Sequence, residues 1–197
     1  MTNIALFGPP GAGKGTQSEK LMQRYQLVHI APGDLMREQI SKKTTLGRQV
    51  AQYINQGKLA PNALVIGIVA ERLAASKDEG GFLFDGFPRT TIQAQALEEK
   101  LASYNMQIDA VIFLEVPEQE LVRRIKSRAQ IAGRVDDQDE AKIATRMRVY
   151  HENTLPVAQY YARQNKLVKV SGVGAVDTIF ERIVAAVQQL SVVPTLK

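Results

Sequence analysis

Short, unbroken apolar runs recur along the chain at 3–7, 27–30, 82–84, 110–114 and 167–170. Runs of that length without polar alternation predict strands buried on both faces. Between them, apolar positions fall at helical spacing. Leu64, Val65, Ile68, Val69 and Leu73 form one stripe, with Pro61 suited to its first turn. Ile92, Ala96, Leu97, Leu101 and Tyr104 form a second, and Leu121 and Ile125 mark a third. Ile143, Met147, Tyr150 and Thr154 mark a fourth, which Pro156 is expected to bend or end. Ile179, Ile183, Val187 and Leu190 mark the last, and 191–197 reads as a loose tail. Strands alternating with helices predict an α/β domain. Its parallel five-stranded sheet is covered by helices on both faces, with ligands at the carboxyl ends of the strands. The longer interval 31–76 has room for several helices, part of which can stand apart as a binding flap.

Composition narrows the class. A chain of 197 residues, 45% hydrophobic and 23% charged, suits one globular domain with a real core, 1–197. No apolar run approaches a membrane span, and the N-terminus leads straight into a strand rather than a signal peptide. The absence of cysteine excludes disulfides and thiolate chemistry and agrees with a reducing, cytoplasmic setting. His29 and His151 have no ligand cluster around them, and His29 reads as a packed or hydrogen-bonded core residue. The net charge of +5 suits a polyanionic partner. Arginines are concentrated at 123, 124, 128, 134, 146 and 148, with no lysine-rich tail, helix-turn-helix or aromatic RNA-binding signature. That favours nucleotide phosphates over a nucleic acid duplex.

The densest local signal is Gly8-Pro9-Pro10-Gly11-Ala12-Gly13-Lys14-Gly15-Thr16, between the first apolar run and a helical segment. Glycines let backbone N–H groups converge on phosphate oxygens, the following helix adds its positive end, and Lys14 adds a full charge. Gly15 stands where the common pattern has Ser or Thr, and Thr16 follows one position later.

Further clusters accompany this loop. In Ala31-Pro32-Gly33-Asp34-Leu35-Met36-Arg37, Gly33 and Asp34 suit a turn into a helix, and Arg37 is placed to reach a phosphate. A solvated helix start accounts for the same residues. In Phe82-Leu83-Phe84-Asp85-Gly86-Phe87-Pro88-Arg89, an aspartate ends a buried strand, where it can meet Mg²⁺ or its bound water. Gly86 allows close backbone approach, and Arg89 offers a fork to an anion. Gln93 lies four residues past Arg89, on one helical stripe with it, and can pair with adenine; a solvated glutamine explains it equally well. Arg124 and Arg128 share a stripe, with Leu121 and Ile125 facing the core. Asp137 and Glu140 are expected to form a capping box for the next helix.

Taken together, these motifs resemble the adenylate kinase family, within the nucleoside monophosphate kinases. The resemblance runs from Asn3 to about Leu190 and includes the phosphate loop and Gly33-Asp34-Leu35-Met36-Arg37. It also includes Gly57-Lys58-Leu59, Asp85-Gly86-Phe87-Pro88-Arg89-Thr90 with Gln93, and Gly133-Arg134-Val135-Asp136-Asp137. It implies a P-loop NTPase-type fold with a helical monophosphate-binding flap at 31–60 and a short lid loop at 127–137. It implies transfer of a phosphoryl group from ATP to AMP, giving two ADP, by a monomer that binds neither nucleic acid nor membrane. Gly11, Ala12, Gly13, Lys14, Gly15 and Thr16 would hold the ATP phosphates, clamped by Arg124 and Arg128, with Gly174 at the ATP adenine. Arg37, Arg89, Arg134 and Arg146 would surround AMP phosphate and the group in flight. Pro32, Lys58, Leu59, Ala60, Gly86, Phe87, Pro88 and Gln93 would hold the rest of AMP. Mg²⁺ would be held by phosphates and water, with Asp85 and Thr16 nearby, and no structural zinc is implied. The family usually has Ser or Thr at positions 31 or 32; here Ala31 and Pro32 supply no hydroxyl.

Overall fold

The computed structural model describes residues 2–132, 137 and 139–192. Five parallel strands form one sheet in the order β2-β3-β1-β4-β5. They are β1 (Ile4–Phe7), β2 (Val28–Ile30), β3 (Phe82–Asp85), β4 (Ala110–Glu115) and β5 (Leu167–Ser171). The apolar runs therefore became strands within a residue or so of their expected bounds. Only the inner three are buried on both faces. β2 and β5 lie at the edges, and Val28, His29, Leu167 and Val168 are only half-buried. An unbroken apolar run does not by itself tell a central strand from an edge.

The helices are α1 (Lys14–Tyr25), α2 (Pro32–Ser41), α3 (Thr45–Ile54), α4 (Asn62–Ser76), α5 (Thr91–Ala102), α6 (Glu118–Ala132), α7 (Glu140–Val149), α8 (Leu155–Ala162) and α9 (Val176–Val192). Strand side chains alternate between two cores. Ala5, Phe7, Phe82, Phe84, Val111 and Phe113 meet α4, α5 and α8 through Val69, Leu97 and Tyr161. Ile4, Leu6, Leu83, Ile112 and Leu114 meet α1, α6 and α9 through Leu21, Leu121 and Ile183. Each large side chain so buried contributes about 1.5–3 kcal/mol against the entropy of ordering the chain.

The interval after β2 folds as α2 and α3, packed on each other, and then α4. The helix stripe beginning at Ile92 is rotated from its expected face: Ile92 is 58% exposed, whereas Gln93, Ala94, Leu97 and Leu101 are buried. Gln93 brings a polar amide to the buried face. Residues 127–132, expected in a lid loop, belong to the last turns of α6. α7 passes into a π-helical turn, Tyr150–Thr154, before α8. The wider turn places Pro156, which has no N–H to donate, within the first turn of α8. Ser191 and Val192 continue α9, and the rest of the expected tail, 193–197, lies outside the described residues. No helix among the described residues is long and apolar enough to cross a membrane.

Candidate functional site

A cavity of about 650 Å³ opens at the carboxyl ends of β1 and β3, between the phosphate loop, α2, the α3–α4 connection, α6 and α7. Every residue of the loop from Gly11 to Thr16 lines it. The loop packs closely against α6. Gly11 has φ +84°, and a Cβ there would stand 2.9 Å from both Ile125 Cγ1 and the Leu121 carbonyl of α6. Gly13, in the left-handed region, caps α1, so that helix starts with its N–H groups toward the cavity.

Lys14 Nζ donates to the carbonyls of Gly8 at 2.8 Å and Pro9 at 3.0 Å. Burial pushes its pKa down from 10.5 to about 7; Asp85 opposes that, and Arg89, Arg146 and Arg128 push it further down. Asp85 ends β3 and also lines the cavity. Its Oδ2 accepts from Ser18 Oγ at 2.8 Å and lies 3.5 Å from His29 Nε2. Burial alone would raise its pKa, but His29, Lys14 and Ser18 together hold it below the usual carboxylate range. His29 is thus a strand residue facing a carboxylate. Ser18 was not singled out from the sequence, where only its place one helical turn past Lys14 could have marked it.

Arg37, Arg89, Arg124, Arg128 and Arg146 all line this cavity. Arg37 pairs with Asp34. A Cβ on Gly33 would lie 3.3 Å from Arg37 Nη2 and 3.5 Å from Arg89 Nη2, so both guanidinium groups flank one glycine at the start of α2. Arg89 precedes the cap of α5, Thr90, and so shares no helical stripe with Gln93. Instead its Nε donates to the Gly86 carbonyl at 2.7 Å, and its own N–H and carbonyl are held by Gln93 and Thr154. The Phe87–Pro88 peptide bond is cis.

Arg124 bridges three parts of the chain. Its Nε donates to Glu120 at 2.7 Å, while Nη2 reaches the Gly172 carbonyl at 3.0 Å and Nη1 the Ala12 carbonyl at 3.5 Å. Arg128 makes a two-pronged pair with Asp137, at 2.7 and 3.0 Å, and Arg146 donates to the same carboxylate. The Asp137 side chain is 0% exposed. The expected capping box is therefore corrected. Asp139 caps α7, accepting from Ala141 N–H at 2.8 Å, and Asp137 turns inward as counter-ion to two arginines. A buried carboxylate requires such partners.

Pro32, Lys58, Leu59, Ala60, Gly86, Phe87, Pro88 and Gln93 also line the cavity. Gly57 of the flap packs closely on α7: its φ is +73°, and a Cβ would meet Arg146 Cγ at 2.8 Å. Gly174, in the loop after β5, is not part of this lining; Arg182 holds that loop through the carbonyls of Ser171 and Val173. Arg134 lies outside the described residues. Tyr150 and Thr154 of the π-helical turn line the cavity too and carried no signal in the sequence beyond their apolar spacing.

Known proteins match this chain closely. The family described as adenylate kinase matches residues 6–166. The adenylate kinase of Phocaeicola vulgatus is 44% identical over 190 residues, spanning 96% of this chain and 100% of that protein. Those of Bacteroides thetaiotaomicron and Flavobacterium johnsoniae are 43% and 41% identical over the same lengths. Likeness of that extent, over a chain whose phosphate loop and arginines already face one cavity, makes this chain a member of the adenylate kinase family.

Proposed function

We propose that the chain catalyses reversible transfer of the γ-phosphoryl group of ATP to AMP, giving two ADP. One observation carries this reading: Lys14 and the guanidinium-bearing residues 37, 89, 124, 128 and 146 line a single cavity. Asp34, Glu120 and Asp137 offset part of this charge, and entering polyanions would balance the rest. An oxygen of the AMP phosphate attacks the γ-phosphorus as the bond from that phosphorus to the departing ADP breaks. No side-chain nucleophile is needed. The loop N–H groups and Lys14 hold the donor phosphates, and Arg37 and Arg89 hold the acceptor phosphate. Arg128, Arg134 and Arg146 meet the charge that spreads over the γ-phosphoryl oxygens, as guanidinium groups do in phosphoryl transfer. Arg124 keeps α6 against the loop, and the backbone around Gly174 lies toward the ATP base. Gln93 holds the AMP base. The flap at 31–60 and the lid at 127–137 close to exclude water, which would otherwise accept the phosphoryl group.

Asp85 and Thr16 suit Mg²⁺ held mostly by phosphates and water. Both line the cavity beside the loop, and no group of three or more His, Asp or Glu side chains suited to a metal occurs among the described residues. When bound, the ion neutralises charge on the β- and γ-phosphates. The enzyme acts as a monomer. A coupled assay with MgATP and AMP, GMP, CMP or UMP tests the proposal. Fastest turnover with AMP is expected, and faster turnover with UMP or CMP would overturn it.

A further inference from the structure

The amide of Gln93 is held at both ends. Its Oε1 accepts from the Arg89 backbone N–H at 2.8 Å, and its Nε2 donates to Asn62 Oδ1 at 2.9 Å. A backbone N–H can only donate, and an amide oxygen can only accept. Turning the Gln93 amide by half a rotation would set its NH₂ against one and its oxygen against the other. Gln93 is 1% exposed, so water cannot replace the two lost bonds. Asn62 has a second partner. Its Oδ1 also accepts from Thr90 Oγ1 at 3.1 Å, and that hydroxyl, the cap of α5, accepts from Gln93 N–H at 3.2 Å. The ring of contacts joins the first residue of α4 to the first turn of α5.

A primary amide has two N–H groups and two oxygen lone pairs. The network uses one of each, which leaves one N–H and one lone pair in a fixed order on a side chain that lines the cavity. That order distinguishes purines. Adenine presents the N6 amino donor beside the N1 acceptor. A 6-oxopurine presents the O6 acceptor beside the N1–H donor. A freely turning amide would serve both. Ala31 and Pro32 at the start of α2 supply no polar side chain to compensate: Ala31 caps the helix without a side-chain hydrogen bond, and Pro32 follows.

Resting on the AMP reading above, we propose that Asn62 is a positioning residue for specificity. By locking the Gln93 amide in one of its two orientations, it makes the pocket select a 6-aminopurine monophosphate over a 6-oxopurine one. Initial rates with MgATP and either AMP or inosine monophosphate test this in the wild type, Asn62→Leu and Asn62→Asp. Inosine monophosphate reverses the donor–acceptor order without the added 2-amino group of GMP.

In Asn62→Leu, the AMP-over-IMP ratio of kcat/KM is expected to fall about fivefold to tenfold, the worth of one hydrogen bond. The change appears in the monophosphate KM, with kcat and the ATP KM nearly unmoved. Asn62→Asp keeps an acceptor oxygen and is expected to restore the wild-type ratio. An unchanged ratio in folded Asn62→Leu, including a parallel loss with both substrates, would overturn the inference, as would an Asp variant that behaves like Leu. A wild type that prefers UMP or CMP would overturn the functional reading and this one with it. A wild type that prefers AMP, beside a variant of unmoved ratio, overturns this one alone.

Discussion

The two walls of the cavity carry positive charge in different ways. On the phosphate-loop wall, Lys14 rests on two backbone carbonyls, and burial brings its pKa down to about 7. On the facing wall four arginine side chains have carboxylates: Arg37 has Asp34, Arg124 has Glu120, and Arg128 and Arg146 share Asp137, while Arg89 donates to the Gly86 carbonyl. An ammonium can shed its proton when no anion is present, and a guanidinium cannot. The lysine wall can therefore wait close to neutrality, whereas the arginine wall must be neutralised by the protein itself.

The sharpest way to break this contrast is to remove from the arginine wall a cation proposed to hold the acceptor phosphate. Arg89→Ala is expected to lower kcat/KM by about 10³-fold or more with the fold retained. Coupled-assay kinetics beside circular dichroism check it, and near-normal turnover would remove Arg89 from the mechanism. A second variant tests the built-in counter-ion. Asp137→Ala leaves Arg128 and Arg146 without their shared carboxylate, at a cost of about 3 kcal/mol, or a Tm lower by roughly 6–12 °C. Added tripolyphosphate should recover part of that loss, because its oxygens take the place of the missing carboxylate. A Tm equal to that of the wild type would mean that Asp137 neutralises nothing.

A third test probes the lysine wall through pH. The folded-state pKa of Lys14 lies below its unfolded value, so the charged form is disfavoured by folding. The penalty is complete below about pH 7 and fades as pH rises from there toward 10.5, where both states become neutral. Lys14→Met should accordingly be more stable than the wild type at pH 6, with the advantage shrinking by pH 10, in denaturant titrations without nucleotide. A pH-independent difference would show that Lys14 stays charged in the empty loop.

Much of this was legible beforehand, for identifiable reasons. The phosphate loop is contiguous, and its glycines, lysine and flanking strand and helix are local. The strand runs and the apolar faces of α4, α6 and α9 follow from simple periodicity. Other features escaped the same reading. The capping-box spacing of Asp137 and Glu140 pointed to Asp137 as the cap of α7; only the fold sends Asp137 between two arginines and leaves Asp139 at the helix end. Ile92 and Gln93 adjoin each other, and helical spacing favoured the isoleucine for the core. The network from Arg89 through Gln93 and Thr90 to Asn62 reverses that order, because an amide bonded at both its oxygen and its nitrogen can be buried at little cost. Asn62 itself is unmarked in the sequence, since its partners lie 28 and 31 residues away.

The chain alone determined which segments are strands, which loop can cradle phosphate, and which family its motifs resemble, because each rests on backbone chemistry within a few neighbouring residues. The tertiary structure decided which carboxylate neutralises which arginine, which strands lie at the edges, and which way the Gln93 amide turns. Those outcomes depend on groups distant in sequence sharing a dry interior, where an unpaired donor or charge is costly and the arrangement that pairs them all prevails.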